Sequence, residues 1–300
     1  MSKKDTTVVP LGNSAMEEEK SETWTASLFS PVLKLFADDD AHDASHPHHT
    51  DIELAVEDEA LELSIETAHN DSKAPHPAMM NEFDPFLFIA QLPPYDQVKG
   101  NIQCPTGLPP LANPAKMSLV LDLDETLVHC SAEPTKEYDV TFHVMFNGAP
   151  VQVFVRKRPH LDAFLHQVSQ LYEVTVFTAS QRVYAERLLD ILDPEQRLIQ
   201  HRLYRESCLM VAGNLLKDLS VLDRDLSKTL IIDNSPHAFG YHVDNGVPIE
   251  SWFDDPHDTE LLKLLPFLQR LTLHDVKDVR PHIRESFGLA NLVRDARARV

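Results

Sequence analysis

The chain has 300 residues, 43% of them hydrophobic, and carries a formal net charge of -20 at pH 7. That is enough for one sizeable core with a tail, or for two domains, and the acidic balance argues against direct nucleic-acid binding and against an anionic membrane surface. No run of about 20 apolar residues occurs, so no membrane span is expected; the opening MSKKDTTVVPLGNS lacks the apolar stretch of a signal peptide; and the three cysteines, Cys104, Cys130 and Cys208, share no close motif, which fits free thiols in a reducing compartment.

The charge is unevenly spread. Residues 1–115 hold 20 acids and 6 bases, a net of -14, which leaves 27 acids and 21 bases, a net of -6, for residues 116–300. Residues 1–80, rich in Asp, Glu, Ser, Thr, His and Pro, read as a disordered acidic tail. Within it, Trp24 to Phe36 is an apolar island suited either to docking or to nothing in particular, and Ser30-Pro31 is a minimal proline-directed phosphorylation site. Asp51 to Glu66 mixes acids with apolar residues. His42, His46, His48 and His49 form a loose tract rather than a metal site, since no cysteine lies near them. Residues 81–115 read as a leading arm and a Pro-rich linker. FDPFLFIAQLPP, Phe83 to Pro94, restores aromatic density and is expected to pack on the domain that follows, and Gly100 to Pro114 holds four prolines.

A folded domain over residues 116–300 is expected to be organised around Ser118 to Cys130, SLVLDLDETLVHC. The apolar run Leu119-Val120-Leu121 predicts a buried parallel strand, and the acids that close it mark the end where α/β sheets bind ligands. Asp122 and Asp124 lie two residues apart; like charges that close are costly without a cation, so a divalent metal is expected, and Mg2+ suits oxygen donors. Thr126 to His129 predicts a short turn or helix. Asn147-Gly148 between the alternating runs Val140–Phe146 and Val151–Val155 predicts a hairpin. Pro159 to Leu171 predicts a core helix with Pro159 in its first turn, and Val174 to Phe177 a strand ending at Thr178. Ser180 is placed to cap the next helix, which stops before Pro194. Arg202 to Cys208 and Leu215 to Lys217 read as connecting segments, and Asp218 to Arg224 as a loop. Lys228 to Asp233 reads as a strand running into Asn234, Ile249 to Phe253 as a further strand, Thr259 to Leu271 as a helix bent or broken near Pro266, and Val279 to Val300 as a final helix.

The words DLDETLVH, FTAS, KDLS and IIDNSP, in that order, resemble the four motifs of the haloacid dehalogenase superfamily. More narrowly they resemble its small phosphatases that act on the RNA polymerase II C-terminal domain and related phosphoserine proteins, over roughly Phe83 to Val293. The resemblance implies a Rossmann-like α/β fold with a central parallel sheet and a β-hairpin insertion, and an Mg2+-dependent protein serine/threonine phosphatase acting through an aspartyl-phosphate. It makes Asp122 the nucleophile and Asp124 the general acid, with Thr126 orienting Asp124. Thr178 and Lys217 would bind the phosphoryl group. The metal would sit on the Asp122 carboxylate, the Asp124 carbonyl and the Asn234 side chain, with Asp233 behind them. Asp223 stands at a turn position that relatives often fill with Gly; Asp tolerates left-handed backbone angles better than most residues.

Small-molecule phosphatases of the superfamily it resembles usually carry a large cap over the site; between the first two motifs here there is room only for a hairpin and one helix, so the resemblance implies an uncapped site that admits a peptide. The expected partners are therefore phosphoserine and phosphothreonine proteins, in the nucleus or the cytoplasm, and the expected state is a monomer. Val144, Phe146 and Val153 could line an apolar pocket for a substrate proline, although Ser131-Ala132-Glu133 lacks the aromatic that some relatives carry there. Arg156, Lys157, Arg158 and Arg205 are expected to offset acidity near the groove. The alternatives are a capless small-molecule phosphatase and a catalytically silent scaffold. His129 is expected to be structural, and Cys130 has no feature that makes it a nucleophile.

Overall fold

Short apolar runs such as Leu119 to Leu121 and Leu230 to Ile232, without room for polar alternation, satisfy their backbones inside a sheet covered on both faces, and that is where they lie. The structure, a computed structural model, describes residues 83–103, 107–146 and 148–299. The expectations for residues 1–80, with their apolar, acidic and histidine-bearing segments, fall outside the described residues, as do Cys104 and Asn147. Strands β1 (Met117–Leu121), β5 (Tyr172–Phe177), β6 (His201–Leu203), β9 (Thr229–Asp233) and β10 (Gly246–Pro248) form one sheet in the order β10-β9-β1-β5-β6, every pair parallel. The α/β class is as expected.

The pleat divides the core. Leu119 and Leu121 of β1, with Leu230 and Ile232 of β9, face a layer built by α3 (Leu161–Leu171), α4 (Arg182–Leu192) and α5 (Glu260–Leu271), through Phe164, Leu188 and Leu265. Val120 and Ile231 face the other side, where Leu219, Leu222, Phe239 and Leu289 cover them. Leu289 opens the last helix, α7 (Leu289–Arg297), which follows α6 (Arg280–Phe287). Gly288, at φ +64, separates the two, so the expected single C-terminal helix is a pair.

The segment between β1 and α3 is a second, antiparallel sheet in the order β2-β4-β3, made of β2 (Val128–Ser131), β3 (Val140–Phe146) and β4 (Ala149–Lys157). β3 and β4 pair from Val140↔Val155 to Phe146↔Ala149, with Gly148 at φ +78 in the turn. The hairpin is therefore as expected, but the turn or helix over Thr126 to His129 gives way to strand β2, which pairs with β4. Phe142 lies over Tyr184 of α4 with ring centroids 6.4 Å apart, which fastens this insertion to the main domain.

Other local expectations change for identifiable reasons. Pro159 precedes α3, whose N-cap is His160 at φ +67. The connecting segments contain β6, and β7 (Leu209–Val211) pairs with β8 (Asn214–Leu216) just before Lys217. The last sheet strand is Gly246–Pro248 rather than residues 249–253, although Ile249 and Trp252 are buried. α5 runs unbroken through Pro266. Asp223 takes the left-handed conformation at φ +52, so the turn survives without glycine. Before β1, α1 (Pro85–Ala90) and α2 (Tyr95–Val98) form an arm in which α1 packs against α7 and the 3-10 segment Pro236–Asn245. Among the described residues no helix is long and apolar enough to cross a membrane.

Candidate active site

The register of the sheet assembles the site. β1 pairs with both neighbours so that Leu121 lies opposite Val176 and Ile232. Asp122 and Asp233 follow directly and Thr178 one residue further, beyond Phe177, so the three emerge at the same carboxyl edge, and the Asp122 N–H donates to the Ile232 carbonyl at 3.0 Å. Ligands of open α/β sheets bind at this edge, next to the strand where the connection changes direction.

Lys217 joins them from the end of β8. Its ammonium donates to Asp122 Oδ1 and, at 2.6 Å, to Asp233 Oδ2. All three groups are buried, with Lys217 only 3% exposed. Burial works against the charge on Lys217, but the carboxylates of Asp122 and Asp233 outweigh it and hold the ammonium protonated well above its ordinary range. Asp233 is pushed upward by burial and by the charge of Asp122, against the pull of Lys217. A lysine here is a fixed positive charge beside Asp122, not a surface residue.

Thr126 donates to Asp122 Oδ2 at 2.8 Å, so it orients Asp122 and not Asp124 as expected. Asp124 is held by groups from the second motif. Ser180 Oγ donates to its Oδ2 at 2.7 Å, and Tyr184 O–H donates to its Oδ1 at 2.6 Å. Thr178 Oγ1 lies at 3.5 Å from the same carboxyl and also accepts the Ser180 N–H at 3.0 Å. Ser180 therefore does not cap α4; the N-cap is Gln181, with no side-chain bond to the helix. Tyr184 has one proton, so when it donates to Asp124 its oxygen is left to accept from the Cys130 thiol, 2.8 Å away. Burial, then the nearby charge of Glu125, push Asp124 up to about 7 against the pull of these hydroxyls. Burial also raises the Cys130 thiol well above its normal range, so it is no nucleophile.

The remaining predicted residues divide. Asn234 Nδ2 donates to Ser251 Oγ at 2.9 Å, which turns its amide oxygen toward Thr126, 3.3 Å away, on the Asp122 side. His129 pairs with Glu125 at 3.1 Å and lies edge-on to Phe253. Arg158 is not a groove cation. It is fully buried, bidentate on Asp258 at 2.8 Å through each nitrogen, and donates to the Thr126 carbonyl at 3.1 Å. Arg156 and Lys157 pair with Glu137 and Asp162. Arg205 Nε is bound to the Ala179 carbonyl at 2.8 Å, beside the second motif. Val144 and Val153 belong to the main core rather than to an open pocket.

The donors fit a hard divalent cation. Asp122, the Asp124 carbonyl and the Asn234 amide offer oxygen only, and among the described residues no cluster of three or more His, Cys, Asp or Glu side chains forms a metal cage. Such a sparse set suits Mg2+, which keeps several of its waters.

Sequence comparison bears on the same residues. The family described as NLI interacting factor-like phosphatase matches residues 117–280, more than half of the chain. The chain is 56% identical over 216 residues to CTD small phosphatase-like protein 2 of Dictyostelium discoideum, a match covering 72% of the chain and 37% of that protein. It is 47% identical over 208 residues to CTD small phosphatase-like protein 3 of Caenorhabditis elegans, covering 69% of the chain and 72% of the relative. The human CTD small phosphatase-like protein is 49% identical over 160 residues, 53% of the chain and 58% of that protein. The chain thus spans little more than a third of the Dictyostelium relative and nearly three quarters of the worm one. Among solved structures, that of Fcp1, an essential RNA polymerase II CTD phosphatase, shares the fold with a TM-score of 0.50 at 19% identity, over 57% of this chain and 70% of that one. By the extent of the family match and the identity to relatives covered over most of their length, the chain belongs to the NLI interacting factor-like phosphatases.

Proposed function

We propose that this protein is an Mg2+-dependent phosphatase of phosphoserine and phosphothreonine in proteins, working through an aspartyl-phosphate on Asp122. The observation that carries the reading is the buried Lys217 ammonium set against Asp122 at the carboxyl ends of three parallel strands. A phosphate monoester repels nucleophiles because its oxygens are already negative, and a fixed cation beside the attacking carboxylate offsets that. When bound on Asp122, the Asp124 carbonyl and Asn234, the metal supplies further charge neutralisation.

In the first half-reaction an oxygen of the Asp122 carboxylate forms the bond to phosphorus while the bond from phosphorus to the serine or threonine oxygen breaks, and Asp124 gives that oxygen its proton. In the second, water attacks the phosphorus, Asp124 takes back a proton, and inorganic phosphate leaves with Asp122 restored. Ser180 and Tyr184 hold the Asp124 carboxyl in one orientation throughout, and Thr178 with nearby backbone N–H groups accommodates phosphoryl oxygens. The relatives' names, one of which refers to the carboxy-terminal domain of RNA polymerase II, support a phosphoprotein substrate of that kind; serine-proline segments and a nuclear or cytoplasmic setting belong to the same proposal.

The test is release of phosphate from a small aryl phosphate, from phosphoserine-proline peptides and from phosphorylated metabolites, with Mg2+ and with chelator. Wild-type activity abolished by chelator and by Asp122→Asn, with peptides preferred over metabolites, is the expected result. Undiminished turnover in Asp122→Asn removes the aspartyl-phosphate.

A further inference from the structure

The arm that precedes the first strand reaches back to the neighbour of the site lysine. Asp218, directly after Lys217, is 1% exposed and its carboxyl is fully used. Tyr95 O–H donates to Oδ2 at 2.6 Å, His242 Nε2 lies 2.7 Å from Oδ1, and the Ser220 N–H donates to Oδ1 at 2.9 Å. With its proton given to Asp218, the Tyr95 phenolic oxygen accepts from the Ser220 hydroxyl at 2.8 Å. On its other side Lys217 donates its own N–H to the Ala238 carbonyl, within the segment Pro236–Asn245 that carries His242.

That segment and the arm are clamped together. The Tyr95 ring meets Tyr241 edge-on at 5.4 Å, Tyr241 O–H donates to the Pro93 carbonyl at 2.7 Å, and His237 lies against Phe83 and Phe88. Gly240 makes the approach possible: a Cβ there would meet Leu92 Cδ1 at 2.8 Å and Ile89 Cγ1 at 3.2 Å. From the far end of the chain, Arg297 donates to the Ala90 carbonyl at 3.3 Å and Arg299 pairs with Asp84 at 3.1 Å. The arm and helix α7 lie outside residues 117–280, which the family match covers, so this clamp grips that domain with segments from both flanks.

We propose that Tyr95 is a positioning residue for Lys217. Through Asp218, the docked arm holds the turn after β8 so that the Lys217 ammonium lies between Asp122 and Asp233. The effect on turnover rests on the phosphatase reading above; the effect on Lys217 does not.

Tyr95→Phe in the full chain removes one hydroxyl and keeps the ring against Tyr241. Two readouts are taken: acylation of Lys217 by an amine-reactive reagent, followed by peptide mass mapping, and kcat with KM on an aryl phosphate, each per folded molecule by circular dichroism. Asp96→Asn, on the exposed face of the same arm, is the control. The expected result is Lys217 labelling roughly five- to tenfold faster, as loss of the part-buried hydrogen bond to Asp218 opens the turn locally. On the phosphatase reading kcat falls by a similar factor with KM nearly unchanged, because Lys217 acts on the phosphoryl group in transfer. Gly240→Ala, which presses on Leu92 and Ile89 without touching Asp218, should shift both readouts in the same direction. Faster labelling in a protein whose wild type releases no phosphate supports the positioning and sinks the phosphatase reading. Unchanged Lys217 labelling in Tyr95→Phe, whatever kcat does, overturns the proposal.

Discussion

Replacing Arg158 with Met tests what holds the first-motif loop. The guanidinium is wholly buried, satisfies both oxygens of Asp258 and caps the Thr126 carbonyl, and Thr126 in turn orients Asp122. Met fills similar volume but leaves a nearly buried carboxylate without its cation. Removing one partner of such a pair costs about 3–5 kcal/mol. The lower end applies to Arg158→Met, because Asp258 is 11% exposed and keeps the Glu260 N–H at 3.1 Å. Asp258→Ala should cost nearer the upper end, since the guanidinium it strands has no exposure at all. Urea unfolding followed by circular dichroism measures both, with Tm falling by roughly 6–12 °C for Arg158→Met in a domain of this size. The double variant should cost about 2–3 kcal/mol less than the sum of the singles. A loss below about 1 kcal/mol for Arg158→Met, or strict additivity in the double variant, would refute the view that this pair is a buried structural unit.

Three further outcomes follow from the geometry. Gly246→Ala would place a Cβ 2.0 Å from the buried Phe239 ring, so thermal unfolding should show a loss of about 1–3 kcal/mol, partly recovered with Phe239→Leu; an unchanged Tm contradicts it. Burial raises the Asp218 carboxyl, but hydrogen bonds from His242, Tyr95 and Ser220 overcome this and hold it down at about 2, below its ordinary 3.8. Its stabilising contribution, about 2 kcal/mol, is therefore complete above pH 4 and lost as pH falls through about 2; the urea midpoints of wild type and Asp218→Asn should converge over that window, and a constant gap counts against it. Tyr184→Phe removes a hydroxyl from Asp124 and should lower kcat about tenfold with KM little changed, which steady-state kinetics on phosphopeptides can check.

What could be read in advance was what chain neighbours determine. Leu119 to Leu121 and Leu230 to Ile232 are apolar runs closed by acids, and such runs become buried strands whatever surrounds them. The Asn147-Gly148 hairpin is equally local. Ser180 was misjudged because a hydroxyl before a helix usually caps it; here Asp124, 56 positions earlier, competes for the same oxygen and wins. Arg158 carried no sign that its partner lay 100 residues on. β6 and β10, three residues each, are too short for any periodicity to register and exist only because β5 and β9 offer open edges. Tyr184, inside α4, carries no signal in the sequence, and only the fold shows its hydroxyl turned to the site.

The clamp also sets an order of events during synthesis. Tyr95 and α1 leave the ribosome before any strand of the main sheet; Asp218 and the segment Pro236–Asn245 emerge on either side of β9, and α7 only after the whole sheet, with bonds that span 123 residues for Tyr95 to Asp218 and 207 for Arg297 to Ala90. Contacts of such separation close last. A nascent chain can therefore form the sheet and bring Asp122, Thr178 and Asp233 together while α1 still lacks its contact with α7. The arm is held from both sides only once α7 has folded against α1, and a chain lacking α7 would carry the site residues with the arm fastened from one side.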